Sequence, residues 1–336
     1  MTAAGFDSFD TSGFDAFTDS GYDARGPASL PQASVWAIDA NGSLRWVYDT
    51  RSSCNGISVG GDGMVWVAGA LGGGSTVWRL NRGGGTVSGQ FLVPYGNGQA
   101  NAPIKAVQSG SFFYVTSNAT LYKYTTSGFS LQFAEPTSYI ADMKLVANEL
   151  YCAEWATGPT KRSTQFGIVL QRAVDRLNLN QPSLFTYAID YLNGVLAASA
   201  VSSAISLPAA AAHPDWPTLF TANSWSVATS SIVGIRLVSQ TELISSGYGI
   251  VKSSKLNPSI WVAEVAGGRL DENGGKIYAT NTAAQSGLPS GNLVSCVDAS
   301  SGAVLWTYNY PRGGVGVDIV ADPNGNGCYV CGYRST

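Results

Sequence analysis

One histidine is present, His213, in the segment Ala212-His213-Pro214-Asp215-Trp216. A His beside an Asp has the parts of a general base. The flanking Pro214 and Pro217 instead mark a loop, and no Ser sits in a Gly-x-Ser-x-Gly elbow. The five cysteines, Cys54, Cys152, Cys296, Cys328 and Cys331, are too scattered for a dense disulfide framework. Cys328 and Cys331 have the spacing of a redox pair. That chemistry needs the first thiol at a helix start, whereas Gly327–Tyr333 alternates like a strand. Residues three apart on a strand face opposite sides, so buried free thiols are expected.

Asp322-Pro323-Asn324-Gly325-Asn326-Gly327 places oxygens as a Ca²⁺ loop does, but the closing acid would fall on Tyr333. A turn before a strand is the expected reading. The glycine runs 72–74 and 83–85 lack a following helix and a Lys-Ser/Thr pair, so they do not read as phosphate loops. Asn41-Gly42-Ser43 and Asn118-Ala119-Thr120 have glycan-acceptor spacing, discounted because no secretion signal is seen. Trp155, Trp216 and Trp225 lie in long connections, where they would stack on sugar rings or pack against a neighbouring subunit. No residue set is assigned to catalysis, metal or cofactor binding.

The start of the chain has a different character. Gly5-Phe6-Asp7-Ser8-Phe9 recurs as Gly13-Phe14-Asp15-Ala16-Phe17 and begins again at Gly21-Tyr22-Asp23-Ala24. Five Asp precede the first cation, Arg25. Such a stretch buries too little apolar surface to fold alone. Residues 1–30 are expected to be an extended docking arm, with Phe6, Asp7, Phe9, Phe14, Asp15, Phe17, Tyr22 and Asp23 meeting a partner.

These candidates must be held by the remaining 31–336. Of 336 residues only 12% are charged and the net charge is -3, while 40 Gly, 16 Tyr and 9 Trp suit strands and tight turns. No basic patch points to nucleic acid, and no apolar run has the length to span a bilayer. Period-two patterning dominates. Ser34–Asp39, a turn at Ala40-Asn41-Gly42 and Leu44–Tyr48 form one hairpin. Leu293–Asp298, a turn at Ser300-Ser301-Gly302 and Val304–Tyr308 repeat it. Weaker copies begin at Val77, Leu121, Val169 and Gly234. A unit of four short strands recurring roughly every 40–65 residues is a β-propeller signature. Six hairpins predict six blades; the gaps at 172–235 and 237–296 have room for a seventh. The unpaired strands at the two ends are expected to complete one blade and close the ring.

The hairpin Ile38-Asp39 … Gly42 … Trp46 and its twin Val297-Asp298 … Gly302 … Trp306 resemble the repeat of quinoprotein-like (PQQ-like) propellers. In that family the Trp packs between blades. The resemblance implies the fold. Its enzymes hold a quinone and Ca²⁺ in a charged cluster at the ring centre, and no such cluster stands out in this sequence. The whole is therefore expected to be all-β, without cofactor or catalysis. It looks like the propeller-bearing tail and decoration proteins of phages in architecture. The expectation is an oligomeric, non-enzymatic virion component, assembled in the host cytoplasm and anchored through residues 1–24. A carbohydrate- or receptor-binding propeller and a quinoprotein-like enzyme are the alternatives.

Overall fold

The computed structural model describes residues 33–50, 54–71, 74–93, 105–117, 119–154, 158–172, 188–200, 203–208, 224–225, 233–247, 249–254, 256–257, 259–265, 267–281, 293–310 and 314–334. The first described elements are β1 (Ala33–Ile38) and β2 (Leu44–Asp49). Blade 1 is β3 (Cys54–Val59), β4 (Val65–Leu71), β5 (Gly74–Leu80) and β6 (Val87–Leu92). Blade 2 is β7 (Lys105–Ser109), β8 (Phe112–Ser117), β9 (Thr120–Thr125) and β10 (Leu131–Pro136). Blade 3 is β11 (Ile140–Val146), β12 (Glu149–Glu154), β13 (Gly158–Ser163) and β14 (Val169–Arg172). Blade 4 is β15 (Ile189–Leu192), β16 (Val195–Ala200), β17 (Ser203–Pro208) and β18 (Ser224–Trp225). Blade 5 is β19 (Gly234–Leu237), β20 (Glu242–Ser246), β21 (Ile250–Ser254) and β22 (Trp261–Ala263). Blade 6 is β23 (Leu270–Asn273), β24 (Lys276–Thr280), β25 (Val294–Asp298) and β26 (Val304–Tyr308). The last pair, β27 (Gly314–Ala321) and β28 (Cys328–Arg334), joins β1 and β2 in the order β2-β1-β28-β27.

Each described sheet has four antiparallel strands, and there are seven sheets, counting the one shared by the two ends. The count is therefore the seventh-blade alternative rather than six. Blade 4 lies in the 172–235 gap. Its strands are rich in Ala and Ser, and its outer strand has only two residues, so its hairpin carries no Asp–Gly–Trp signal. Two weak copies were also displaced in register. Val169–Arg172 is the fourth strand of its blade, and Gly234–Leu237 is a first strand. The closing pairing is as expected: Ala33 faces Tyr333 and Ile38 faces Cys328 across β1 and β28. The inner strands touch in the order β27, β3, β7, β11, β15, β19, β23, and β23 returns to β27.

A single four-stranded sheet has two apolar faces and cannot cover both, so the core lies between blades. Val35, Ala37, Tyr329 and Cys331 of the closing blade pack on Ile57, Val65 and Trp78 of blade 1. Trp36, Ile38, Cys328 and Val330 turn the other way, onto Tyr278, Val294 and Cys296 of blade 6. Cys328 and Cys331 thus face opposite sides, and all five cysteines are free and buried. Burial raises the pKa of Cys54 to about 12 and pushes Cys328 and Cys331 well up, which leaves inert thiols.

A second contact between blades repeats at larger radius. An aromatic residue of one outer strand lies over the turn of the next blade's last hairpin. Trp46 covers Gly85, Trp306 covers Gly42, Trp261 covers Gly302 and Phe133 covers Gly167. Trp46 Nε1 donates to Arg82 O at 2.9 Å and Trp306 Nε1 to Ala40 O at 3.0 Å. The turn glycine is needed twice over at Gly85. Its φ is +67°, and a Cβ there would lie 2.5 Å from Trp46 Cε3.

At blade 3 the Gly167 turn is tied to a buried ion pair. Arg162 Nη1 donates to Gly167 O at 2.9 Å, and its Nη2 lies 2.7 Å from Glu154 Oε1. Thr160 and Ser138 hydroxyls also donate to this carboxylate. Burial would raise the Glu154 pKa, but the Arg162 guanidinium and the two hydroxyls outweigh it and hold it below its ordinary value.

Two outcomes follow from these contacts. Gly85→Ala should lower stability by about 1–3 kcal/mol in urea unfolding. Gly83→Ala, with nothing within 4 Å of a Cβ there, should be near neutral. If the two variants unfold alike, the stacked turn is not a clamp. Glu154 has a depressed folded pKa, so its contribution is present above the usual value of 4.5 and is lost as pH falls through the folded value. Glu154→Gln should cost about 3 kcal/mol at neutral pH, and its deficit against the parent should narrow in urea titrations run below the usual glutamate range.

Candidate functional site

The ring centre gathers eight charged side chains of the described residues. Four aspartates lie on inner strands: Asp318 on β27, Asp142 on β11, Asp190 on β15 and Asp271 on β23. Each accepts a backbone N–H from the next inner strand. The donors are Ile57 to Asp318 at 2.9 Å, Ile189 to Asp142 at 3.2 Å, Leu237 to Asp190 at 2.8 Å and Ala321 to Asp271 at 2.9 Å. Bulges at Ile140/Asp142 and Gly316/Asp318 re-aim two of these side chains toward the neighbouring blade.

Four cations complete the belt. Lys105 Nζ lies 2.6 Å from Asp318 and 3.6 Å from Asp142. Lys144 Nζ and Arg236 Nη1 both meet Asp190 Oδ1, at 2.5 and 2.9 Å. Arg236 Nη2 continues to Asp271 at 3.1 Å. Arg269 reaches from the start of β23 to Asp142 at 3.4 Å and to Ala141 O at 2.8 Å, across the axis from β11. Between β3 and β7 the bridge is Ser58 Oγ donating to Ala106 O at 2.7 Å. Every junction of the ring therefore carries a polar bridge.

The charges balance, four against four, which makes the burial tolerable. Desolvation would lower the Lys105 pKa, but Asp318 and Asp142 overcome it and hold it above its ordinary value. Burial would likewise lower that of Arg236, and Asp271 and Asp190 drive it higher instead. All seven inner strands line an axial cavity of about 380 Å³.

The sequence expectation that no charged cluster occupies the ring centre is corrected here. The belt residues are spread over six inner strands, with Asp142 and Lys144 together on β11, and only ring closure brings them together. A local signal did exist: an Asp set in an apolar strand, as in Ala141-Asp142-Met143 and Val317-Asp318-Ile319, goes against strand preference. The belt does not fit a Ca²⁺-linked quinone, because every carboxylate is engaged by an amide and a cation. Among the described residues no three Asp, Glu, His or Cys converge as metal ligands would.

The other sequence candidates divide clearly. Phe6, Asp7, Phe9, Phe14, Asp15, Phe17, Tyr22 and Asp23 lie outside the described residues, as do Trp155, His213, Trp216 and Asn118. Trp225 sits on β18, paired with Ala204. Asp322–Gly327 is a turn: Asp322 N donates to Gly327 O at 2.8 Å, and Asp322 Oδ1 accepts Asn324 N at 2.9 Å. The buried Asp322 carboxylate also takes the Tyr329 hydroxyl at 2.7 Å and faces Arg45 and Arg82. Asn41 and glycines 83–85 lie in hairpin turns.

Asp190→Asn keeps an acceptor for Leu237 N but leaves Lys144 and Arg236 without their shared anion. It should cost about 3 kcal/mol in denaturant unfolding. Glu149→Gln, at the pair with Lys161 where the glutamate side chain keeps 36% exposure, should stay within about 1 kcal/mol. Equal effects would mean that the belt does not hold the ring.

No family model matches this chain, and no curated protein does. Solved structures do match over most of its length. A chain of a mitotic checkpoint complex has a TM-score of 0.62 at 13% identity, covering 93% of this chain and 96% of its own. The WD40 domain of Neurospora crassa Pan2 scores 0.59 at 10%, covering 85% and 90%. BamB from Moraxella catarrhalis, a propeller of the quinoprotein-like class, scores 0.53 at 12%, covering 91% and 92%. At these identities the likeness is one of fold, and the chain is a β-propeller.

Proposed function

We propose that this protein is a non-enzymatic structural component of a large assembly, with a bacteriophage virion as the class of assembly. Residues 1–24 anchor it, and the propeller is displayed as a docking body. The observation that carries this reading is the perimeter. Each of the six outer strands whose side chains are described exposes a large aliphatic residue: Leu44, Leu92, Leu131, Leu170, Val262 and Leu305. Leu92 is 72% exposed. Apolar edge strands that face water are sites for a partner or for aggregation. A propeller of similar architecture belongs to a mitotic checkpoint complex, so this shape serves in multi-protein assembly elsewhere.

The acidic–aromatic arm supports the same reading. Its repeated Gly-[Phe/Tyr]-Asp units would let weak contacts act together through high effective concentration. The engaged belt carboxylates offer no free base at the axis, in keeping with a non-catalytic role. Deletion of residues 1–24 should leave the unfolding midpoint of the propeller unchanged and remove the protein from purified particles in a sedimentation assay. Retention on the particle would overturn the anchoring role.

A further inference from the structure

We propose that the axial cavity is a binding site for a small oxyanion, a phosphate or a compact polycarboxylate, held between Lys144 and Arg236. This inference does not depend on the assembly reading.

The argument starts from donors and acceptors. Asp190 is only 2% exposed, and it already accepts Leu237 N, Lys144 and Arg236. It does not line the cavity, whereas Asp142, Asp271 and Asp318 do. Those three are each engaged by a neighbouring amide and by at least one cation. The neutral wall side chains Ser58 and Gln108 are occupied as well. Ser58 donates to Ala106 O, Gln108 Nε2 donates to Gly110 O, and Gln108 Oε1 accepts Asp62 N.

The cations differ. An ammonium has three N–H groups and a guanidinium has five. Lys144 directs its ammonium at Asp190, and Arg236 uses one terminal nitrogen on Asp190 and the other on Asp271. Both line the cavity, and their side chains keep 30% and 25% exposure. Because they share one oxygen of Asp190, the two cationic groups stand side by side. The wall is thus rich in charged donors where most of its acceptors are already used. Among the described residues Asp318 Oδ1 is one carboxylate oxygen without a partner, too few for a metal cation, while an oxyanion would find charged N–H groups whose hydrogen bonds to it are charge-assisted. A cavity of about 380 Å³ sets the ligand at the scale of a phosphate or a small polycarboxylate. The belt is charge-neutral, so recognition comes from directed donors rather than from a net positive field.

The test is calorimetric titration of the full chain with inorganic phosphate and with citrate, against chloride of matched ionic strength. Saturable one-to-one binding of at least one of the two is expected. Lys144→Gln, which still offers Asp190 a donor, should weaken it about tenfold or more, and Arg236→Lys should weaken it too. Lys252→Gln, at the Glu242 pair outside the cavity wall, should bind as the parent does. Heats no different from chloride for both anions would overturn the proposal. So would parent-like affinity in folded Lys144→Gln and Arg236→Lys. Should Lys144→Gln fail to fold, the parent titration and Arg236→Lys decide the matter.

Discussion

The pairing of β1 with β28 is the constraint on which the rest of the molecule depends. Six residues of one chain end, Ala33 to Ile38, lie in register against Tyr333 to Cys328 of the other. This ladder makes a blade from two pieces about 300 residues apart, a separation whose entropy cost grows only slowly with loop length. Without it, β27 would not lie between β3 and β23, and the belt would lose Asp318 and the Ala321 amide together. The hydrophobic effect alone does not specify this closure, since it is non-directional. The ladder supplies direction, and Trp36, Val35 and Tyr329, packed to either side of the sheet, supply the burial that holds it.

Blade spacing is then set at two radii by two kinds of contact. At the axis, polar bridges run from each inner strand to the next. At the perimeter, an aromatic ring rests on the neighbouring turn. The outer contact tolerates variation as long as shape is kept. Phe133 replaces Trp over Gly167, with Arg162 supplying the hydrogen bond to a turn carbonyl that an indole supplies elsewhere. Between blades 1 and 2 the turn carries Phe129 at φ 52°, and its ring meets Phe91 at a centroid distance of 3.5 Å. A left-handed phenylalanine is strained, and here the tilted Phe129 ring occupies the place that a bare glycine leaves open in the other turns.

Legibility in the sequence followed chemistry that is local to a hairpin. The first and last hairpins were readable because Asp39 and Asp298 each accept two turn amides, glycines take the left-handed position, and Trp46 and Trp306 stand at a fixed offset. Val169–Arg172 was misplaced by one strand because its turn is held by Arg162 and by Phe133 of blade 2, which leave no Asp–Gly–Trp trace. Blade 4 was missed because Ala and Ser carry little periodic contrast. The belt was only faintly readable, for another reason. Asp142, Asp190, Asp271 and Asp318 stand on four different strands, and their meaning lies in partners that reach them only through the closed ring.

The distribution of charge ties the axis to the perimeter. The chain has 19 Lys and Arg and 22 Asp and Glu in 336 residues. Eight of these few charges are gathered in the belt, and others tie neighbouring blades together, as Asp322, Arg45 and Arg82 do. Natural edge strands usually keep apart by carrying charge, lysine above all. This propeller concentrates eight charges at its axis and leaves Leu44, Leu92, Leu131 and Leu305 exposed on outer strands that carry few charges. An isolated ring built this way is poorly protected against edge association. The rim has charge only at scattered positions such as Arg45, Asp49 and Glu135, so rim chemistry favours a molecule that works with its perimeter covered.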